Sequence, residues 1–427
     1  MRSQNLISGI GTWAGPGLDS GEMSTQAHGP NREQLNFWTT DVVAKGWWTE
    51  VAIAQLTPMN NSKVLIISPM PPLRGGIAWH SHYLAKHLKH YQNTEVWSPR
   101  KLYPSWLYPG RSQVGEDSAI KNTEAKRADR TLSQIGILFG LFRMSRSDFD
   151  AVMVPWWTSY FSIHMIFVAF ISRAKGINTS IFCHNVYPHN GSAVGRALSR
   201  LVVRLFSNVF VQSQSEFELV KSFYPEANCT IVAHPTYPIE RMQRAELLNR
   251  NRQGEPIKVL FFGLIREYKG IDTLLEAIRL INPEQFLFHF AGEPWSRSLE
   301  INIIEAKQRS LNISCDLSYH SELRMIETFD SSDVLVLPYS KASGSGALAS
   351  AKGMGIPVIM SDSIEAGSDF VAGRDGLVFR AGDANHLALQ LDVFRRNRTH
   401  FDNCWQTVDH DKEWELLAKK ISGELGL

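Results

Sequence analysis

Two cations and several glycines in the second half of the chain could bind a phosphate. The run Phe261–Ile278 (FFGLIREYKGIDTLLEAI) predicts a strand that ends at Gly263, a short loop, and a helix that starts near Gly270. Arg266 and Lys269 lie in that loop, at the C-terminal edge of a parallel strand, where open α/β sheets bind ligands. Two cations beside the N–H groups of a helix N-terminus predict a diphosphate site. A solvated basic loop is the alternative.

A second glycine-rich loop lies within Pro338–Ile359 (PYSKASGSGALASAKGMGIPVI), which predicts a strand, a loop and a helix of small residues. Glycine lets a phosphate approach the backbone, and the N–H groups of the following helix can donate to it. Close packing of helix on strand would also require small residues, but two such loops along one sheet favour an anion site. The residues predicted to contact the ligand here are Ser343, Gly344, Ser345, Gly346 and Ala347, together with Gly263 of the first loop.

Two loops in the first half of the chain also end predicted strands. Gly75 and Gly76, in PPLRGGIAWH, either let another molecule approach the backbone or form a tight turn. They do not form the GxGxxG fingerprint, which disfavours a nicotinamide enzyme. His184, in CHNVYPH, could hydrogen-bond a sugar hydroxyl, although a lone histidine is usually structural. No third ligand at metal-binding spacing accompanies it, so no metal site is predicted.

Strands alternate with helices along most of the chain, which predicts an α/β fold with parallel sheets. The alternation starts at Lys63–Ser68 and restarts at Lys258–Gly263, after the polar stretch Glu240–Glu255. The predicted domains are residues 61–245 and 256–404, each Rossmann-like, followed by a helical segment at 405–427. The stretch Arg100–Ser147 is not assigned, and its charged, serine-rich first part predicts a flexible loop.

Residues 1–60 show no sustained periodicity and are interpreted either as a poorly ordered extension or as a mis-assigned upstream start. A chain that begins at Met59 is therefore expected to keep its melting temperature.

The composition is that of a globular protein, with 44% hydrophobic and 20% charged residues among 427. A net charge of +2 gives no indication of a nucleic-acid partner. The four cysteines are widely spaced and form no CxxC pair, which disfavours a disulfide framework or a zinc site and favours a reducing compartment. No apolar run reaches about 18 residues and no secretory signal is recognised. A cytoplasmic location is expected.

In combination these motifs resemble glycosyltransferase family 4, a retaining family with the GT-B architecture of two Rossmann-like domains facing a central cleft. The resemblance rests on the two loop motifs above and on Asp375–Asp383 (DGLVFRAGD), with looser similarity in the first half. It extends from Lys63 to the C-terminus. It implies a nucleotide-sugar donor in the second domain and a glycan, lipid-linked or small-molecule acceptor in the first, with no metal or other cofactor. It also implies a final helix that crosses back to the first domain.

The same resemblance assigns roles to individual residues. Arg266 and Lys269 match the family's basic pair on the donor diphosphate. Gly75 and Gly76 match its glycine loop facing the donor phosphate, and His184 matches its histidine near the donor sugar. In the implied reaction, cleavage places negative charge on the leaving diphosphate, which cations and helix N-termini stabilise without a metal. No protein nucleophile is assigned.

One departure from the family pattern concerns two glutamates that usually lie eight residues apart. Ala342 and Ser350 occupy those positions, where the family contacts the sugar and the ribose. This puts the donor identity in doubt and leaves a second hypothesis: a non-catalytic GT-B protein that binds nucleotide-sugar or glycan in a polysaccharide-synthesis assembly. A sugar-nucleotide epimerase or an inverting transferase is a third, which the basic loop disfavours.

Aromatic residues at Tyr103–Tyr108 (YPSWLY), beside Lys101 and Arg111, predict a weak, salt-sensitive contact with a membrane surface. Packing of this loop on its own domain is the alternative. The predicted location is thus cytoplasmic, peripheral at the inner face of the cell membrane.

Overall fold

The computed structural model describes residues 60–104, 112–115, 129–187, 192–237, 254–342, 344–365, 370–405 and 408–425. The chain divides into residues 1–56 and 57–427, and every described residue belongs to the second unit. Apart from Asn60, the predicted N-terminal extension lies outside the described residues.

The first domain is built on a seven-stranded sheet in the order β3-β2-β1-β4-β5-β6-β7, and all its strand pairs are parallel. Its strands are β1 (Asn60–Ile67), β2 (Gln92–Pro99), β3 (Arg130–Leu132), β4 (Ala151–Trp156), β5 (Asn178–Cys183), β6 (Asn208–Val211) and β7 (Asn228–Ile231). Its helices are α1 (Gly76–Leu88), α2 (Gln134–Arg143), α3 (Ser162–Ala174), α4 (Ala193–Arg204) and α5 (Gln214–Phe223).

Local sequence explains most of these elements. All six residues of β4 (AVMVPW) are buried, as an apolar run covered on both faces of a parallel sheet requires. Helices α2, α4 and α5 each follow a serine whose hydroxyl accepts a hydrogen bond from the backbone N–H three residues later, which satisfies one free donor of the first turn. The unassigned stretch Arg100–Ser147 contains β3 and α2 in its described part.

The second domain has a six-stranded parallel sheet in the order β10-β9-β8-β11-β12-β13. Its strands are β8 (Ile257–Phe262), β9 (Phe286–Ala291), β10 (Ile313–Asp316), β11 (Val334–Leu337), β12 (Val358–Ser361) and β13 (Gly376–Phe379). Its helices are α6 (Ile271–Ile278), α7 (Arg297–Arg309), α8 (Glu322–Asp330), α9 (Gly346–Gly353) and α10 (Ala384–Arg396).

The strand order reverses direction at β1/β4 in the first sheet and at β8/β11 in the second. Ligands of open α/β sheets bind outside the C-terminal ends of the strands at such a reversal. The loops that follow β1, β8 and β11 therefore occupy the binding positions of the two sheets.

The final helix, α11 (His410–Glu424), packs against α1 of the first domain. Trp414 is fully buried there, and its indole Nε1 donates a hydrogen bond to the backbone oxygen of Thr236 at 2.7 Å. Its ring lies 5.4 Å from that of Tyr83 on α1. One buried apolar cluster contains side chains from both sheets and from α11, so the two domains share part of their core.

Candidate functional site

Two glycines with positive φ shape the loop after β8. Gly263 (φ +104°) ends the strand, and Gly270 (φ +69°) separates the helical turn Glu267–Lys269 from α6. A Cβ on Gly270 would lie 1.7 Å from the backbone oxygen of Pro338, which follows β11. The backbone N–H of Ser340 also donates to the oxygen of Tyr268 at 2.8 Å. The loops after β8 and β11 are thus packed directly on each other.

Lys269 is a buried cation, with a relative exposure of 8%. Its Nζ lies 5.2 Å from the centre of the Tyr339 ring and 3.0 Å from the position that a Cβ of Gly263 would occupy. No carboxylate within the described ranges lies at ion-pair distance from it. Burial lowers the pKa of Lys269 from its ordinary value of 10.5 to about 8, and the nearby charge of Arg266 adds to this. A buried ammonium without a counter-ion is a position prepared for an anion.

Arg266 precedes Lys269 in the same loop and has an unused donor. Its guanidinium lies over the ring of Trp295, 4.3 Å from the ring centre, as in a cation–π contact. Its Nε is buried and has no hydrogen-bond partner. Trp295 follows β9, and its backbone N–H donates a hydrogen bond to the backbone oxygen of Ile265 at 2.8 Å. Trp295 was not among the predicted site residues, although an aromatic after the C-terminal end of a neighbouring strand was a usable signal.

The loop after β11 leads into the N-terminus of α9. Ser345 caps this helix, since its hydroxyl accepts a hydrogen bond from the N–H of Leu348 at 3.3 Å. Gly344 and Gly346 are exposed, and a Cβ on either would meet nothing within 4 Å. Ala347, in the first turn of α9, is half-buried. This helix end is open to a ligand. Ser343 lies outside the described residues.

The two positions where family 4 has glutamates face inward. Ala342 is 4% exposed and pairs with Ile364 as an isolated parallel bridge. Ser350 is 5% exposed, and its hydroxyl donates to the backbone oxygen of Gly346 at 3.0 Å within α9. Neither position therefore offers a group to a ligand.

In the first domain, the glycine pair lies between β1 and α1. Gly75 has φ +112° and no neighbour where a Cβ would stand, and Gly76 begins α1. The backbone oxygen of Gly76 accepts a hydrogen bond from the hydroxyl of Tyr237 at 3.2 Å. Next to them, the guanidinium of Arg74 lies 4.1 Å from the ring centre of Tyr319 in the second domain. The glycine loop thus contacts the opposite domain, a contact that the sequence did not predict.

His184 follows β5 and lies in a cluster of histidines. Its ring is 4.8 Å from that of His80 on α1, which is in turn 5.5 Å from His234 after β7. Burial, with a further contribution from His234, lowers the pKa of His184 to about 3. Its Nε2 is buried and has no partner. His184 is therefore neutral at physiological pH, so it can exchange a hydrogen bond with a hydroxyl but cannot act as a cation.

In the structure, Gly263, Arg266 and Lys269 lie next to the loop after β11. His184 lies next to α1, the helix that begins at Gly76. Across the described ranges, no cluster of three or more histidine, cysteine or acidic side chains could bind a metal ion. Among the helices that the structure describes, none has the length and apolarity needed to cross a membrane.

Comparison with known proteins finds sequence similarity in the second domain. Residues 256–394 match the family model described as Glycosyl transferases group 1. Two GDP-mannose:glycolipid 4-beta-D-mannosyltransferases of Xanthomonas campestris pv. campestris are 30% identical over 104 residues, which is 24% of this chain. The match spans 30% of the length of each of these curated relatives. An uncharacterized 41.2 kDa protein in the cps region of Klebsiella pneumoniae is 22% identical over 313 residues, covering 68% of this chain and 82% of that protein.

Solved structures resemble the whole described architecture. Anabaena Alr3699/HepE in complex with UDP and glucose has a TM-score of 0.65 at 14% identity, over 85% of this chain and 100% of that chain. Sucrose-phosphate synthase from Thermosynechococcus elongatus has a TM-score of 0.62 at 13% identity, over 85% and 98%. These similarities confirm the predicted α/β, GT-B fold of two Rossmann-like parallel-sheet domains.

Proposed function

We propose that this protein is a GT-B glycosyltransferase that moves a sugar from a nucleoside-diphosphate sugar to a glycan, lipid-linked or small-molecule acceptor. The observation that supports this best is the pair Arg266 and Lys269 at the C-terminal edge of β8: Nε of Arg266 is buried without a hydrogen-bond partner, and Lys269 is a buried cation. The pair lies inside the segment that matches Glycosyl transferases group 1. A diphosphate would supply the negative charge that the pair lacks.

In the proposed reaction, the bond between the sugar and the diphosphate breaks and negative charge grows on the leaving phosphate oxygens. Lys269 and Arg266 donate hydrogen bonds to those oxygens, and the free N–H groups at the start of α9 add to them. The donors are already in place before the reaction, so little reorganisation is needed. Retention of anomeric configuration and independence of metal ions, which the family resemblance implies, belong to this proposal.

The first domain contributes His184 and the glycine loop. A neutral imidazole with a free Nε2 can hydrogen-bond a sugar hydroxyl, and Gly75 leaves room beside its backbone for a phosphate. The glycolipid mannosyltransferases that are similar to this chain support a lipid-linked or glycan acceptor. A role in polysaccharide biosynthesis belongs to the same proposal. The proposed location is cytoplasmic, in keeping with four free cysteines.

One observation favours a second function. Ala342 and Ser350 offer no carboxylate where family 4 has two. A non-catalytic GT-B protein that binds a nucleotide-sugar or glycan would keep the cations and could lose these groups.

A binding and turnover experiment separates the two functions. The purified chain is titrated calorimetrically with UDP, GDP and ADP, and the nucleotide-sugars of the base that binds are then followed by NMR for hydrolysis or transfer. We expect binding of one diphosphate and release of sugar, with the anomeric configuration of the product the same as that of the donor. Binding without any turnover would support the second function, and an inverted product would contradict retention. Absence of binding by all three diphosphates would overturn the proposed sugar transfer and leave only glycan binding for the second function.

A further inference from the structure

Helices α2 and α3 of the first domain expose large apolar side chains along their outer faces. On each helix these side chains are spaced at i, i+4 and i+7, so they form one stripe per helix. Each is between 51% and 80% exposed. This apolar surface consists of Ile135, Phe139 and Phe142 on α2 and Ile163, Phe167 and Phe170 on α3.

Folding does not account for this surface. The inner faces of the same helices already supply the core, since Ile137 and Leu141 of α2 and Val168 of α3 are completely buried in one cluster with the sheet. Both helices are thus apolar on two sides, whereas a surface helix of a globular protein has a polar outer face. Since α2 contacts α3, the two stripes form one continuous apolar surface, the kind that marks an interaction site.

The helices that carry and border the apolar surface have charges of a single sign. Helices α2, α3 and the adjacent α4 contain five arginines and no acidic residue. The loops that follow α2 and α3 add Arg146 and Lys175. The acidic residues nearest in sequence, Asp148 and Asp150, accept hydrogen bonds from backbone N–H groups. The arginines of these helices are Arg143, Arg173, Arg196, Arg200 and Arg204.

The apolar side chains and the arginines together favour one kind of binding partner over another. A second copy of the chain that met the first through the same surface would bring arginine against arginine. An anionic phospholipid bilayer offers instead a region where phenylalanine inserts at the headgroup boundary and phosphates that pair with guanidinium groups. We propose that the outer face of α2, α3 and α4 docks this protein on an anionic membrane surface.

The position of the surface fits such docking. Helices α2, α3 and α4 follow β3, β4 and β5, so their N-termini lie at the sheet edge that also carries the glycine loop and His184. A bilayer at this surface would therefore lie beside the acceptor domain's binding edge. The previously predicted contact at Tyr103–Tyr108 lies mostly outside the described residues, and Tyr103 itself packs against the ring of Tyr160 at 5.0 Å.

Vesicle binding tests this proposal without any donor or turnover, so its failure is independent of the proposed sugar transfer. The full chain is mixed with vesicles of phosphatidylcholine alone or of phosphatidylcholine with phosphatidylglycerol, and bound protein is measured by flotation. We expect binding to the anionic vesicles that weakens as salt rises.

Serine substitutions test the apolar part. The triple variant Phe142→Ser, Phe167→Ser and Phe170→Ser should bind at least about tenfold more weakly, because each inserted ring contributes substantial apolar area. A matched control replaces exposed leucines of the second domain and should bind as the wild type does. The control substitutions are Leu311→Ser, Leu323→Ser and Leu389→Ser, at side chains that are 50% exposed or more.

Glutamine substitutions test the charge. Arg143→Gln with Arg146→Gln should weaken binding to anionic vesicles by about thirtyfold, since each basic residue near such a surface contributes roughly fivefold. Arg279→Gln with Lys307→Gln removes the same charge from the second domain and should have little effect. The melting temperature and the diphosphate affinity of all variants should match the wild type.

Several results would overturn the proposal. The first is that the wild type does not bind vesicles. The second is that the serine triple and its leucine control bind equally well. The third is that the double glutamine variants of the first and the second domain lose vesicle affinity to the same extent. A concentration-dependent sedimentation coefficient that the serine triple abolishes would show instead that the surface joins copies of the chain. If the serine triple fails to fold, the comparison of the two charge pairs decides.

Discussion

Replacing Lys269 by methionine is expected to stabilise the free protein while weakening its binding of a diphosphate. Methionine keeps an unbranched chain of similar length and removes the charge. Lys269 has a pKa of about 8 in the folded chain against an ordinary value of 10.5. Since folding lowers this pKa, the charged form is disfavoured, and the cost is fully present below about pH 8 and disappears as the pH rises past 10.5. The difference between the two values corresponds to about 3 kcal/mol at pH 7.

Urea unfolding at pH 7 and at about pH 9.5 measures this effect. The free energy of unfolding of Lys269→Met should exceed that of the wild type by up to about 3 kcal/mol at pH 7, and the excess should shrink at the higher pH. The control is Lys258→Met, which removes an exposed lysine of β8 in the same domain. Its unfolding free energy should differ little from that of the wild type at both pH values, because its side chain is exposed to solvent.

Diphosphate binding should change in the opposite sense. Charge-assisted hydrogen bonds are worth roughly 1.5–3 kcal/mol, so the affinity of Lys269→Met for the nucleoside diphosphate should fall about ten- to a hundredfold. Wild-type affinity should also decline as the pH rises through about 8, because the free protein must then take up a proton to bind, and the variant should lack this decline. A Lys269→Met protein that is less stable at pH 7 and binds the diphosphate normally would refute the reasoning.

Three further predictions concern the same loop and the link between the domains. Arg266→Ala should lower kcat/KM by about ten- to a hundredfold or more with little change in melting temperature. Arg266→Lys should remain impaired, because a point charge cannot replace the bidentate fork of a guanidinium. Steady-state kinetics that give equal activities for the wild type and both variants would contradict this. Gly270→Ala should lower the melting temperature by several degrees, since its Cβ would lie 1.7 Å from a backbone oxygen. The control Gly373→Ala, at φ +87° with open space around it, should lower it only through backbone strain. Equal shifts of the melting temperature in calorimetry would count against the packing argument. Trp414→Ala should lower the free energy of unfolding in urea by about 3–5 kcal/mol, because this fully buried ring joins α11 to α1. A decrease below about 1 kcal/mol would show that the shared core does not depend on this side chain.

Local pattern was enough to predict much of the fold. Continuous apolar runs such as Ala151–Pro155 indicated buried parallel strands, and glycines after them indicated loops, because these signals depend only on neighbours in the sequence. Helix α2 and strand β3 were not predicted, because a three-residue strand and a helix that is apolar on two sides give no clear period. The placement of Arg266 and Lys269 after a strand followed from the same local signals.

What surrounds those cations could not be predicted, because it depends on which strands become neighbours. The order β9-β8-β11 places Trp295 under Arg266 and Tyr339 beside Lys269, although the three loops are far apart in the sequence. Whether Lys269 is paired or unpaired likewise depends on every side chain that packs near it. The exposed stripes of α2 and α3 are a similar case. The sequence alone determined that these two segments are rich in apolar residues. Only the tertiary structure decided which of those side chains stay exposed, because the sheet covers one face of each helix.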